Sequence, residues 1–288
     1  MRFTKLHGTG NDFIVVDARD REANWPKLAE AICDRHLGAG ADGLLLVYTL
    51  DRADLRMRLF NADGSEAEMS GNGMRCFVKY AVDRGLIKLR DGVATVETLA
   101  GVITAEVRQS NNSVESVRVT MGRPRFRAQE IPVALAAQLR LKGEAEPPLE
   151  NVAMEIDGQT FAVTCLSMGN PHAVHFINEP VESFPLAEIG PKAERHALFP
   201  QRVNFEVARV LARDRIDVRT WERGVGETLA CGTGASAVMV AARLRGLVDD
   251  RVELREPGGV LTLDWAGGDS DVYLTGPAVE VYEGEWPE

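Results

Sequence analysis

The feature that most constrains the fold of this 288-residue chain is a segment that occurs twice. Ser70-Gly-Asn-Gly-Met-Arg-Cys-Phe-Val-Lys-Tyr-Ala-Val-Asp-Arg-Gly-Leu-Ile lies without a gap over Cys231-Gly-Thr-Gly-Ala-Ser-Ala-Val-Met-Val-Ala-Ala-Arg-Leu-Arg-Gly-Leu-Val, at a constant offset of 161. Gly71/Gly232, Gly73/Gly234, Ala81/Ala242, Arg84/Arg245, Gly85/Gly246 and Leu86/Leu247 are identical, and the alignment runs back to Glu66/Glu227. A second echo joins Gly10-Asn11-Asp12-Phe13 to Gly169-Asn170-Pro171-His172 at nearly the same offset, 159. Two echoes in one order predict a duplicated lobe. The length suits two domains.

Around the echoes, short β-branched runs recur, among them Phe13–Asp17, Leu44–Thr49, Val93–Thr98, Val114–Thr120, Phe161–Leu166, Val203–Leu211 and Ile216–Trp221. Several alternate apolar with polar residues, the pattern of half-exposed antiparallel strand. Helical spacing is rarer and predicts helices over Lys27–His36, Gly71–Arg84 and Gly232–Arg245. The last two stop at Gly85 and Gly246, residues suited to a left-handed cap. Lys142–Glu150, charged and proline-bearing, reads as an exposed connection. The expected class is α+β, rich in antiparallel sheet with few helices.

Composition excludes several functions. Lys and Arg number 33 against 43 Asp and Glu, for a net charge of −10, which disfavours nonspecific binding to nucleic acid or an anionic membrane. No apolar run spans a bilayer, and the N-terminal stretch lacks a signal-peptide core, so the cytoplasm is the expected compartment. The cysteines at 33, 76, 165 and 231 form no CxxC pair, which gives a zinc site or redox pair no support, and no metal is expected. Cys33 and Cys165 read as small buried hydrophobes.

Chemistry concentrates at the repeated turns. Each is a small-residue start to an apolar helix, whose first amides point outward unsatisfied and can bind a carboxylate. A thiol there is expected to be drawn toward neutrality. If two such starts face each other, the side chains at 70 and 231 approach a substrate from opposite sides. That arrangement suits removing a proton from one face of a carbon and returning one on the other. Gly232-Thr-Gly-Ala-Ser-Ala also fits a loose dinucleotide pattern, but no parallel strand–helix alternation surrounds it, and that reading is rejected.

Four motifs, Lys5-Leu-His-Gly-Thr-Gly-Asn-Asp-Phe, Phe60-Asn-Ala-Asp-Gly-Ser-Glu, Met168-Gly-Asn-Pro-His and Glu222-Arg-Gly-Val-Gly-Glu-Thr-Leu-Ala-Cys-Gly-Thr-Gly, run in order along the chain. With them the sequence resembles the diaminopimelate epimerase family over essentially its whole length. The resemblance implies two pseudo-symmetric lobes, each a mostly antiparallel barrel-like sheet around a central helix, with the active site between them. The lobes would comprise residues 1–117, to which 266–288 can add, and 118–265. It implies interconversion of LL- and meso-diaminopimelate in lysine biosynthesis, with no cofactor, and a homodimer. Cys231 would be one acid/base and Ser70 would stand at the other. His172 and Glu222 would tune the two positions. Asn11, Asn61, Asn170 and Asn204 would hold polar groups of the substrate, Glu222 and Arg223 its distal end, and the amides of Gly71-Asn72 and Gly232-Thr233 its reacting carboxylate.

Two positions depart from the family pattern. Gly43 stands where many members have glutamine, and Ser70 stands where the family has its other catalytic cysteine. An alcohol is a much weaker acid than a thiol. Cys76 is no substitute, since six helical residues turn it by about 600° away from position 70. Three readings of Ser70 stay open: a hydroxyl activated by neighbours such as His172 or Glu222, an introduced Cys→Ser change, or a relative with other chemistry. The alternatives to the epimerase are accordingly a same-scaffold racemase or dehydratase acting on another amino acid, and a ligand-binding homologue with weakened catalysis. Ser70 could also be a helix N-cap and nothing more.

Overall fold

A computed structural model describes residues 1–50, 53–134 and 148–287. The chain divides into two compact units, Met1–Thr120 with Thr275–Glu288, and Met121–Leu274. Most of the predicted connection at Lys142–Glu150 lies outside the described residues, and its end is corrected. Leu149 is buried and opens a strand.

The first unit begins with β1 (Arg2–Gly8) and β2 (Asn11–Asp17), an antiparallel pair closed by Thr9 and Gly10. Both turn residues have positive φ, 53° and 88°, as a two-residue turn matching strand twist requires. Helix α1 (Trp25–Cys33) then crosses to β3 (Gly43–Tyr48), which runs parallel to β2. Asn24 caps α1 by accepting a hydrogen bond from Lys27 N–H, and Pro26 fits its first turn. The helix stops at Cys33 rather than His36, because the Asp34 carboxylate accepts from the amides of His36 and Leu37. β4 (Leu55–Asn61) pairs antiparallel with β3 and turns into β5 (Glu66–Ala67). Helix α2 (Gly71–Asp83) follows, then β6 (Val93–Thr98), parallel to β4, and the antiparallel β7 (Gly101–Ser110) and β8 (Ser113–Gly122). The C-terminal strand Val279–Glu285 pairs with β1.

In the second unit, β9 (Leu149–Ile156), β10 (Gln159–Ser167) and β11 (Pro171–Phe176) are antiparallel neighbours. Helix α3 (Leu186–Glu194) crosses to β12 (Asn204–Ala212), parallel to β11. β13 (Arg215–Glu222) pairs with β12 and turns into β14 (Gly226–Thr228). Helix α4 (Gly232–Leu244) is followed by β15 (Arg251–Glu256), parallel to β13, and β16 (Gly259–Asp264). The architecture is α+β, dominated by sheet, with four helices among the described residues.

Helices α2 and α4 form the middle of their own units. Every residue from Gly71 to Ala81 is buried, as are Gly232 and Gly234–Ala242. A helix surrounded on all sides needs no polar face, which explains the apolar run Ala237–Ala242. Val238, Met239 and Val240 are each fully buried, stabilising by roughly 1.5–3 kcal/mol apiece relative to exposure. Both helices end in the same way: Gly85 and Gly246 have φ +67°. Leu86 N–H donates to Ala81 O at 2.8 Å and Leu247 N–H to Ala242 O at 3.0 Å, the long bond of a Schellman cap.

Candidate active site

In the second unit, β13 delivers Glu222 to a hairpin that returns as β14 and leads to Cys231. Glu194 of α3, itself buried, braces this hairpin by accepting from Gly224 N–H at 3.1 Å and from Trp221 Nε1–H at 2.9 Å. Cys231 is the N-cap of α4, with extended backbone (φ −134°, ψ 104°), and its Sγ accepts from Gly234 N–H at 3.3 Å. Its own N–H donates to the buried carboxylate of Glu256 at 2.8 Å. The amides of Gly232 and Thr233 are left as first-turn donors with no acceptor inside the helix, directly beside the sulfur.

The electrostatics differ from the expectation of a thiol drawn toward neutrality. Burial pushes Cys231 well above its ordinary value, and the carboxylates of Glu222 and Glu206 add to the effect. The hydrogen bond with Thr233 acts in the opposite direction and is outweighed. Glu222 is also raised, by burial first, against opposing hydrogen bonds from Thr228 and the Cys231 thiol. Thr228 Oγ1 donates to Glu222 Oε1 at 2.7 Å. Both the Cys231 thiol and the Glu222 carboxyl are therefore shifted toward their protonated forms in the free protein.

Of four further predicted residues, His172 and Asn170 are linked to this helix start, and Asn204 and Arg223 are bonded to each other. His172 and Asn204 are register partners on parallel strands. Asn204 Oδ1 accepts from Arg223 N–H at 2.8 Å, and Arg223 Nη1 donates to Gln201 O at 3.1 Å. His172 is fully buried; its Nδ1 lies 2.7 Å from Glu206 Oε1 and its Nε2 lies 2.9 Å from Asn170 Oδ1. Asn170 Nδ2 donates to Thr233 Oγ1 at 3.3 Å, and Thr233 Oγ1 lies 3.5 Å from Cys231 Sγ. Glu206 and Glu256 were not anticipated. The signal for Glu206 lies in the alternation of β12, which puts residues 204 and 206 on one face.

In the first unit Ser70 is the N-cap of α2 (φ −140°, ψ 125°), and Oγ accepts from Gly73 N–H at 3.1 Å, its one side-chain hydrogen bond among the described residues. Asn72 Nδ2 donates to Asn11 Oδ1 at 3.1 Å, and Asn11 Nδ2 to Asp42 Oδ2 at 2.7 Å. Asn72 Oδ1 is buried with no partner among the described residues, an acceptor held ready for a donor. Asn61 ends β4 and bonds Ser65 within its own turn, Nδ2 to Oγ at 2.9 Å. Gly43 offers no side chain, and none fits: a Cβ there would lie 2.8 Å from the Phe60 carbonyl oxygen. Cys76 is fully buried with its thiol pushed up to about 12 by burial. Among the described residues no cluster of three or more His, Cys, Asp or Glu is arranged to hold a metal ion, and no helix is long and apolar enough to cross a membrane.

The fold recurs in solved structures. A hydroxyproline epimerase from Agrobacterium vitis superposes with a TM-score of 0.70 at 18% identity, covering 99% of this chain and 90% of that one. A phenazine biosynthesis protein of the PhzF family from Bacillus anthracis gives 0.67 at 16% identity, covering 100% and 99%. At such identities the likeness defines the fold alone. Sequence goes further. The family model described as Diaminopimelate epimerase matches residues 3–127 and 164–281. The diaminopimelate epimerase of Acetivibrio thermocellus is 47% identical over 286 residues, covering 99% of this chain and 98% of the relative. That of Methanococcus maripaludis strain S2 is 44% identical over 287 residues, covering 99% of each. The chain belongs to the diaminopimelate epimerase family.

Proposed function

We propose that this chain interconverts LL- and meso-diaminopimelate by exchanging the proton on the α-carbon, without a cofactor, using Cys231 on one face and the residue-70 position on the other. The observation that carries this reading is Cys231 itself, a thiol held against Gly234 N–H beside Glu222, in a chain related to diaminopimelate epimerases along its full length. The thiol is protonated at rest, so Cys231 begins as the acid in one direction and must surrender its proton before acting as base in the other. The first-turn amides of Gly232-Thr233 and Gly71-Asn72 receive the reacting carboxylate, where they stabilise charge spreading from the carbanion-like centre. Asn11, Asn61, Asn170 and Asn204 orient the remaining polar groups. Glu222 and Arg223 take the distal ammonium and carboxylate.

In this reading the two units are duplicated lobes, each supplying one acid/base position, with dimerisation as in the resemblance. Duplication is supported by more than the repeated turns. The order of parallel and antiparallel pairings from β2 to β7 matches that from β11 to β16. Each lobe also carries the same bidentate ion pair at the 161-residue offset, Arg58 with Glu66 and Arg219 with Glu227, both with contacts of 2.7 and 3.0 Å.

The test is to incubate the purified protein with LL-diaminopimelate and separate the stereoisomers with time. Formation of the meso form, lost in a Cys231→Ala variant, is expected; no conversion from either isomer would overturn the proposal. One observation favours a second reading. The hydrogen bond from Gly73 N–H makes Ser70 a competent N-cap, and a protein in which it does only that would bind diaminopimelate without turning it over.

A further inference from the structure

Buried ion pairs can often be replaced by apolar residues without loss of stability, because desolvating two charges offsets their attraction. The first unit follows that rule. At the register positions that His172 and Glu206 occupy on β11 and β12, β2 and β3 carry Phe13 and Leu45, both buried. The second unit retains a histidine and a glutamate, each with no exposed side-chain surface. Glu206 Oε2 also has no hydrogen-bond partner among the described residues. Such an expensive arrangement calls for a role beyond packing.

The hydrogen bonds supply one. From Glu206 they run through both nitrogens of His172 to Asn170, from Asn170 Nδ2 to Thr233 Oγ1, and from Thr233 to Cys231 Sγ. Each end of the chain fixes the sense of the next link. Both ring nitrogens face oxygens, so a ring donating from both satisfies Glu206 and Asn170 together. Asn170 then donates to Thr233, whose hydroxyl hydrogen is left free to point at the sulfur. If the ring donates only to Glu206, Nε2 becomes an acceptor and the Asn170 amide turns over. Thr233 must then donate to Asn170 Oδ1, and can only accept from the thiol. Hydrogen bonds reorient in this scheme; no proton has to travel.

We infer that Glu206 is a positioning residue for the epimerase reaction: by holding His172 it sets the direction of the Asn170–Thr233 relay, which stabilises the thiolate of Cys231 when its proton is withdrawn. The inference rests on the proposed role of Cys231 as acid/base. The other charged or titratable groups facing that sulfur are Glu222 from β13 and Glu256 from β15. As an isolated carboxylate Glu206 opposes the thiolate. Its Oε1 lies 2.7 Å from His172 Nδ1; when the ring donates from both nitrogens the pair is neutral, and the main effect of Glu206 on the sulfur then passes through the relay.

The experiment measures Cys231 alkylation by iodoacetamide against pH in the substrate-free protein, with peptide mapping to separate it from the other thiols. Burial pushes Cys33, Cys76 and Cys165 up to about 12. Removing a hydrogen bond to a charged sulfur should slow alkylation about tenfold near neutrality. Glu206→Gln is expected to move the profile to higher pH by that amount. Thr233→Val, which breaks the relay in the first turn without disturbing the buried pair, should give the same shift, and the double variant should add nothing further. A profile that stays in place or moves to lower pH in Thr233→Val overturns the relay, whether or not Glu206→Gln folds. Because no substrate is present, a protein that fails to epimerise diaminopimelate yet shows these shifts would separate failure of the proposed function from failure of the relay.

Discussion

Gly234 and Gly73 occupy the same position in the first turn of α4 and α2, and adding one methyl to each distinguishes what surrounds the two helix starts. A Cβ on Gly234 would lie 3.0 Å from Glu206 Oε1, 3.2 Å from Cys231 Sγ and 3.2 Å from Thr220 Oγ1, all in a buried setting. The atoms nearest a Cβ on Gly73 would be those of Ser70, at 3.2 and 3.4 Å, and the rim of the Phe13 ring at 3.4 Å. Alanine is favoured over glycine inside a helix by about 0.8–1.0 kcal/mol, and forcing a methylene into a packed core costs about 1–3 kcal/mol. For Gly73→Ala the two effects nearly cancel. For Gly234→Ala the crowding wins by up to about 2 kcal/mol, because the sulfur and the carboxylate must both move. A displacement near 1 Å at a reacting group can lower turnover on the order of 10²-fold, so Gly234→Ala should lose at least about tenfold in kcat for diaminopimelate, and more than Gly73→Ala does. Thermal unfolding and epimerisation kinetics on the two variants decide the matter. A Gly234→Ala protein as active as the parent and more stable would refute the packing argument.

Introducing a thiol at position 70 by Ser70→Cys should raise kcat by about 10²-fold or more, since a well-matched acid/base is worth that much; unchanged turnover would show that residue 70 serves only as a cap. Asp12 supplies a pH prediction. Burial would raise its carboxyl, but hydrogen bonds from Arg35 and Lys5 outweigh burial and hold it at about 2 rather than 3.8. A folded value below the unfolded one means a contribution on the order of 2 kcal/mol, fully present above about pH 4 and lost as pH falls toward 2. Asp12→Asn should therefore lower the Tm at neutral pH and flatten its decline in acid, and an acid limb identical to the parent's would count against the assignment. Cys33, Cys76 and Cys165 should resist alkylation in the folded protein at neutral pH and react on unfolding, as mass mapping can check.

The two central helices were legible in the sequence because glycine punctuates both ends: Gly71 and Gly232 open them, and Gly85 and Gly246 close them within a residue of the predicted stops. Nothing in the sequence marks helix α3, since Gly190 and Pro191 lie inside it and argue locally against a helix. Its reason is tertiary. A Cβ at 190 would sit 2.5 Å from the Trp221 ring, so the glycine is there for the indole to pack upon. Of the candidate site, residues marked by turns and repeats were visible as a pattern. Glu206 was hidden in an apolar run, where one carboxylate looks incidental until the fold brings His172 to it. The thiol's tuning is hidden for a related cause: a sequence displays the helix start, whereas burial and neighbouring carboxylates emerge only with the strands in place.

The central claim is that two residues act on opposite faces of one carbon, and isotopic labelling tests it most directly. In heavy water, starting from either unlabelled LL- or meso-diaminopimelate, the first product formed should carry one deuterium at the inverted centre while recovered starting material carries none. Product that retains its original hydrogen, or deuterium that enters starting material as fast as product, would contradict two-sided proton transfer.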